Sequence, residues 1–166
     1  MGAGTGQTEH YLQHRGFKVV ASDIDVTSLD LCKNMGLDVI RLDVTDFDLR
    51  LVDCEAIYID GVLGHLYKNI RWSDLAENLA KTGCGHLLLS NDLSDTDLEP
   101  NFTVHGKPGA SFFRPPTGFF ADIFCDAGQW RPAWTHILNY RRPGRGIRRR
   151  ELLVLENLTD ARKDER

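Results

Sequence analysis

Strand-like and helix-like segments alternate along residues 7–92, and no other feature constrains the fold as strongly. A helix is expected from about Gln7 to Arg15, with Gly16 as its stop. The apolar, β-branched run 17–22 reads as a buried strand that ends at Asp23. Thr27 and Asp30 resemble a capping box for a helix carrying Leu29, Cys32 and Met35 and stopping at Gly36. Strands follow at 37–42, ending at Asp43, and at 56–59, ending at Asp60. Ser73 can cap a helix with Leu75, Ala76, Leu79 and Ala80 on one face, closed by Gly83. A strand at 86–90 then leads to Asn91 and Asp92. Such alternation predicts an α/β chain with a mostly parallel, doubly wound sheet, covered on both faces. In sheets of this kind ligands sit at the carboxyl ends of the strands. Asp23, Asp43, Asp60 and Asp92 all stand at or just past such ends. Turns favour Asp in any case, so the series counts for more than any single member.

The second half follows another pattern. Residues 91–116 form a long connection without clear period, holding Gly106, Pro108, Gly109, Phe112, Phe113 and Pro115-Pro116. Loops this long in a compact domain are often lids. Phe120, Ile123, Phe124 and Ala127 then have helical spacing, with Thr117 as the start and Gly128 as the stop. Residues 133–140 and 148–155 read as two strands around a turn at 143–146, an antiparallel hairpin closing the sheet.

Composition narrows the class without naming a function. At 166 residues, 42% hydrophobic and 27% charged, the chain has the make-up of a globular domain. Residues 1–158 are expected to form one domain and 159–166 a polar tail. No apolar run is long enough for a membrane helix. Met1–Gln7 has no basic or apolar leader pattern, so a cytoplasmic location is expected. Cys32, Cys54, Cys84 and Cys125 contain no C-x-x-C pair, so no metal site is expected. Six arginines, at 141, 142, 145, 148, 149 and 150, lie within ten residues free of acids. Against a net charge of −4, this leaves −10 on the rest of the chain. The cluster could dock an anion or a phosphate backbone, or it could be a solvated hairpin tip that discourages edge pairing. Without interleaved aromatics the second reading is preferred, and nucleic acid is not an expected partner.

The chain opens on Gly2-Ala3-Gly4-Thr5-Gly6. Glycines let the backbone turn sharply into a helix and approach a ligand closely. Asp23 lies 21 residues after Gly2, a spacing that suits a carboxylate accepting from ribose hydroxyls. A dinucleotide loop would place its third glycine where Gln7 stands, which disfavours a nicotinamide-dependent oxidoreductase. The G-x-G-x-G spacing instead resembles the first motif of class I S-adenosylmethionine-dependent methyltransferases. Val20–Asp25 resembles their acidic second motif, and Leu42-Asp43-Val44 the third, where an aspartate meets the adenine amino group. Ile57–Leu66 is similar to the strand and loop flanking the methyl donor, and the closing hairpin fits the family's last strands.

The resemblance implies S-adenosylmethionine as cofactor and S-adenosylhomocysteine as product. The cofactor contacts it implies are Gly2, Ala3, Gly4, Gln7, Asp23, Ile24, Asp43, Val44, Asp60, Gly61 and Val62. The implied reaction is methyl transfer to the oxygen or nitrogen of a small-molecule acceptor, with residues 91–130 shaping its pocket. His65 is the first candidate for a general base, since its ordinary pKa lies near neutrality. A histidine that only packs or caps the next helix is the competing reading. Asp92 and Tyr67 are weaker candidates, against the competing readings of a loop turn residue and a half-buried core tyrosine. Asp60-Gly61-Val62-Leu63 lacks the Asx-Pro-Pro-aromatic signature of enzymes methylating DNA base amino groups.

Met1 falls just after the family's first acid, so the family's first strand has no counterpart. A late start, a shortened piece, or a strand supplied by another chain or segment would each account for this. An unfinished sheet orphans backbone groups and raises the expectation of a homo-oligomer. It also motivates the alternative of a non-catalytic, methyltransferase-like remnant or half-domain that needs a partner chain.

Overall fold

The computed structural model describes residues 1–45, 53–67, 70–94, 101–104, 111–142, 144 and 146–159, with backbone alone at 101–104 and 111. Gly106, Pro108, Gly109, Pro143, Arg145 and residues 160–166 of the tail lie outside the described residues. The chain divides into two compact units, 1–47 and 48–166.

The first unit contains α1 (Gln7–His14), β1 (Val20–Asp23), α2 (Val26–Asn34) and β2 (Asp38–Arg41). β1 and β2 pair in parallel, Val20 opposite Asp38 and Asp23 opposite Arg41. Ala21, Cys32 and Leu37 form the buried centre, with Ala3, Met35 and Val39 packed against it. The strand expected at 17–22 is shifted to 20–23. Residues 17–19 fall outside the ladder with β2, and Phe17 is 62% exposed, so an apolar run did not mean burial here. The cap of α2 also moves. Asp25 has extended backbone, and its carboxylate accepts from the N–H groups of Thr27 and Ser28. An acid one residue ahead of the helix reaches the orphan donors that Thr27, already inside it, does not.

The second unit contains β3 (Ala56–Asp60), α3 (Leu63–Leu66), α4 (Trp72–Lys81), β4 (His86–Asp92), β5 (Asn101–Val104), β6 (Ser111–Arg114), α5 (Phe119–Asp126), β7 (Trp130–Arg142) and β8 (Gly146–Asn157). Four strands form a mixed sheet in the order β3-β4-β8-β7, not the mostly parallel sheet expected, because the hairpin strand β8 lies directly beside β4. β3 and β4 are parallel, while β8 runs antiparallel to both β4 and β7. Alternation along the strands puts Ile57, Ile59, Leu87, Leu89, Leu153 and Leu155 on one buried face. The buried sides of α4 (Leu75, Ala76, Leu79, Ala80) and α5 (Phe120, Phe124) complete the core.

Two polar side chains brace this core. Trp130 Nε1 donates to the Ala76 carbonyl at 2.9 Å. Asn157, fully buried, donates to the carbonyls of Ala80 at 3.0 Å and Cys84 at 2.9 Å. The middle and the C-terminal end of α4 are thereby tied to the β7–β8 pair.

Three expectations change in this unit. The unpatterned connection 91–116 holds a two-stranded antiparallel sheet, β5 with β6, Asn101 opposite Arg114. Phe112 and Phe113 sit on β6, where aromatics suit a pleated surface. Neither Ser73 nor Thr117 caps a helix. Arg71 precedes α4 without a side-chain cap, and Gly118, at φ 82°, precedes α5. The Glu151 carboxylate accepts from the Gly118 N–H at 3.0 Å, so the acid that meets α5 comes from β8 rather than from sequence neighbours. Last, the short helix α3 follows β3 directly, a turn of helix that four residues are too few to announce by periodicity. No described helix is long and apolar enough to cross a membrane.

Candidate active site

In the first unit the glycine loop is tied to the end of β1. The Ala3 N–H donates to the Ser22 carbonyl at 2.9 Å, and the Gly4 N–H donates to Asp23 Oδ2 at 2.9 Å. Gly2, Gly4 and Gly6 have φ of 71°, 54° and 72°, the left-handed region where side chains other than glycine are strained. Gly6 is also sterically required. A Cβ there would stand 2.6 Å from Cys32 Sγ and 2.7 Å from Met35 Cε. Gly4 has no atom within 4 Å of such a Cβ, so the loop is open at that point.

Asp23 is half-buried, and its other oxygen accepts from the Asp25 N–H at 2.9 Å. A carboxylate oxygen can accept more than one hydrogen bond. Both oxygens of Asp23 therefore retain acceptor capacity while the carboxylate is held in place, a pair of acceptors that fits a ribose diol. Gln7 opens α1 and is exposed, as is Ile24. Asp43 follows β2 and accepts from the Thr45 N–H at 2.9 Å and Thr45 Oγ1 at 2.7 Å. Those bonds lower its pKa, the hydroxyl contributing most. Val44 beside it is half-buried.

In the second unit Asp60 ends β3 and Gly61 turns at φ 68°, its N–H donating to the Ser90 carbonyl at 2.8 Å. Val62 leads into α3, and His65 lies exposed in that helix. The His65 ring meets Phe112 edge to face at 4.8 Å. Tyr67 stacks on Phe113 at 4.2 Å, and Phe113 in turn meets Phe119 at 5.2 Å. His65 and Tyr67 thus stand on an aromatic cluster shared by α3, β6 and α5. Gly64 permits this approach, because a Cβ there would come within 2.5 Å of the Phe112 ring and 2.7 Å of the Phe113 carbonyl.

A second polar group in this unit was hidden in the sequence. Asp92 lies in β4, 5% exposed at its side chain, and is not a turn residue. Its carboxylate accepts from the Tyr140 hydroxyl at 2.8 and 3.0 Å, from Arg150 Nε at 2.9 Å and from Arg142 Nη1 at 3.4 Å. Arg150 also donates to Asp60 Oδ1 at 2.9 Å and to Ser90 Oγ at 3.3 Å. The Asp92 carboxylate is thus held inside a network of donors from β7 and β8. Burial is the main cause that raises the Tyr140 pKa, aided by Asp92, and burial with the Asp60 charge pushes Tyr58 up to about 12. Part of the arginine cluster is therefore internal structure. Arg141 and Arg142 remain exposed. The register Asp92↔Arg150 carries this pairing, and only strand alignment reveals it.

The comparisons with known proteins bear on this arrangement. No family model matches the chain. A curated relative, a tabtoxin biosynthesis enzyme of Pseudomonas amygdali pv. tabaci, is 29% identical over 160 residues, covering 93% of this chain and 62% of the relative. The chain thus spans about three-fifths of the length of the curated relative it matches. Among solved structures, a S-adenosylmethionine-dependent methyltransferase from Methanosarcina mazei superposes with a TM-score of 0.81 at 10% identity, covering 95% of this chain and 90% of the other. The chain has the class I methyltransferase fold. The same fold appears at lower overlap in the 1,6-didemethyltoxoflavin-N1-methyltransferase of Burkholderia thailandensis, crystallised with 1,6-didemethyltoxoflavin and S-adenosylhomocysteine. Its TM-score is 0.64 at 17% identity, covering 94% of this chain and 68% of that one. A glycopeptide N-methyltransferase complexed with S-adenosylhomocysteine matches with a TM-score of 0.70 at 11% identity, covering 94% of this chain and 80% of that one. A class I methyltransferase fold does not by itself fix an acceptor, since one fold carries many sites.

Proposed function

We propose that this protein is an S-adenosylmethionine-dependent methyltransferase acting on an oxygen or nitrogen of a small-molecule acceptor. The observation that carries the reading is the bond from the Gly4 N–H to Asp23 Oδ2, which joins a three-glycine loop to an acidic strand end within a class I methyltransferase fold. In the first unit, Gly2, Ala3, Gly4, Gln7, Asp23, Ile24, Asp43 and Val44 are the proposed nucleoside contacts. In the second, Asp60, Gly61 and Val62 are the proposed contacts flanking the methyl donor. The bound cofactor would supply a sulfonium methyl open to in-line attack and leave as S-adenosylhomocysteine. The chain's own task is to orient the two reactants and exclude water.

His65 is the proposed general base for an acceptor that must lose a proton. Its ring is exposed, and the Phe112 contact sets the ring's orientation. The neighbouring Phe112 and Tyr67, both accessible in part, offer flat apolar faces that suit a planar acceptor. The bound ligand and name of the Burkholderia enzyme, and the name of the glycopeptide enzyme, are in keeping with a small-molecule acceptor. They do not favour the non-catalytic remnant. Cytoplasmic location and homo-oligomer formation remain parts of this proposal. The test is calorimetric titration of the purified protein with S-adenosylhomocysteine, with NAD as control. Saturable binding of the first alone is the expected result, and a folded protein that binds neither overturns the reading.

A further inference from the structure

We propose that Arg150 is a positioning residue that aims the Asp60 carboxylate at the bound ligand, with Asp92 as its buried anchor. The proposal rests on Asp60 being a ligand contact. It is carried by the geometry of one guanidinium between two acids. Asp60 and Asp92 end the neighbouring parallel strands β3 and β4, on the sheet face opposite the apolar core. Left alone, two carboxylates on adjacent strand ends would repel. Arg150 enters from β8, directly opposite Asp92, and bridges them. Its Nε and Nη2 meet Asp92 Oδ1 at 2.9 and 2.8 Å, and its Nη1 meets Asp60 Oδ1 at 2.9 Å. The Tyr140 ring lies against the guanidinium, 5.1 Å from centroid to carbon, which sets the plane of the fork.

The two acids differ in access. The Asp92 side chain is 5% exposed and bound also by Tyr140 and Arg142, whereas the Asp60 side chain is 35% exposed. The buried acid therefore fixes the arginine, and the arginine fixes the accessible acid. A buried ion pair by itself is weak evidence for stability, so a network with one open end at the carboxyl edge of a parallel pair calls for a further role. A hydrogen-bond donor on the ligand, an ammonium or a hydroxyl, is the chemistry that the open carboxylate would take. Lysine could not replace Arg150, because a single ammonium lacks the planar fork that reaches both acids.

The test is a double-mutant cycle read by calorimetric titration with S-adenosylhomocysteine. Arg150→Met is expected to weaken binding by about tenfold in the natural background and by less than about twofold beside Asp60→Asn. A merely structural role would lower the melting temperature and leave the two losses multiplying. Losses that multiply, or an unchanged Kd for a folded Arg150→Met, overturn the proposal. Should Arg150→Met not fold, Arg150→Lys runs the same cycle, since it keeps the charge beside Asp92 and loses the fork. Absence of binding by the natural protein overturns the functional reading and this inference together, so the two failures are distinguishable.

Discussion

Asp23 carries two duties that a single substitution can separate. Its carboxylate holds the glycine loop through the Gly4 N–H and the following turn through the Asp25 N–H. Under the proposed function it also accepts from the ribose. Asp23→Ala should therefore reduce affinity for S-adenosylhomocysteine at least about tenfold while the protein stays folded. Calorimetry gives the first quantity and circular dichroism the second, and equal affinity in the two proteins would sink the ribose assignment. Gly6→Ala is expected to fail for another reason. Its left-handed backbone costs about 1–2 kcal/mol for an L-residue, and its Cβ would meet Cys32 Sγ and Met35 Cε. Urea denaturation should show a loss of at least about 2 kcal/mol once overpacking is added. An unchanged midpoint would mean that α2 retreats freely from the loop.

At the scale of elements, the second unit depends on side chains that reach from strand to helix. Asn157 is the clearest case. Its amide donates to two carbonyls at the end of α4, and its Oδ1 accepts from Thr159 N and Oγ1 at 2.9 and 2.8 Å. Asn157→Ala would leave the Ala80 and Cys84 carbonyls buried without this donor, at a cost of about 2–4 kcal/mol in denaturant unfolding. A loss under about 1 kcal/mol would show that water or a shifted neighbour replaces it. The two ties to carbonyls at the end of α4 could not be read from the chain, because they join residues 73 and 77 apart. The same limit explains Glu151 at the start of α5 and Arg150 beside Asp92. The arginine cluster looked like a solvated tip because no local pattern says which member faces an acid across the sheet. By contrast the buried faces of α4 and α5 were legible, though not their caps, since Leu75, Ala76, Leu79 and Ala80, and Phe120 with Phe124, keep strict helical spacing. Of the candidate site, the glycine loop with Asp23 was legible from motif and spacing. Its bond to Gly4, and the seat of His65 on Phe112, were not.

For the whole molecule, the response to pH follows from where burial outweighs charge. Tyr58 lies in β3, half-buried on the polar face, beside Asp60 and Ser90. Burial disfavours its phenolate, and the Asp60 charge adds to this, so its pKa rises from 10.0 to about 12. The sign of the consequence is set by proton binding. Between the unfolded value and the folded one, the native state holds a proton that the unfolded state has released, so stability falls as pH rises. Below about pH 10 both states keep the proton and Tyr58 contributes no slope, and the fall is complete near pH 12. Tyr140 adds to the slope in the same direction, its pKa raised by burial and by Asp92. Urea midpoints measured from pH 8 to about pH 11.5 should thus decline at the alkaline end, and Tyr58→Phe should flatten that decline. The substitution leaves the ring in place and removes only the group that titrates. A decline of equal steepness in Tyr58→Phe would locate the alkaline sensitivity elsewhere in the molecule.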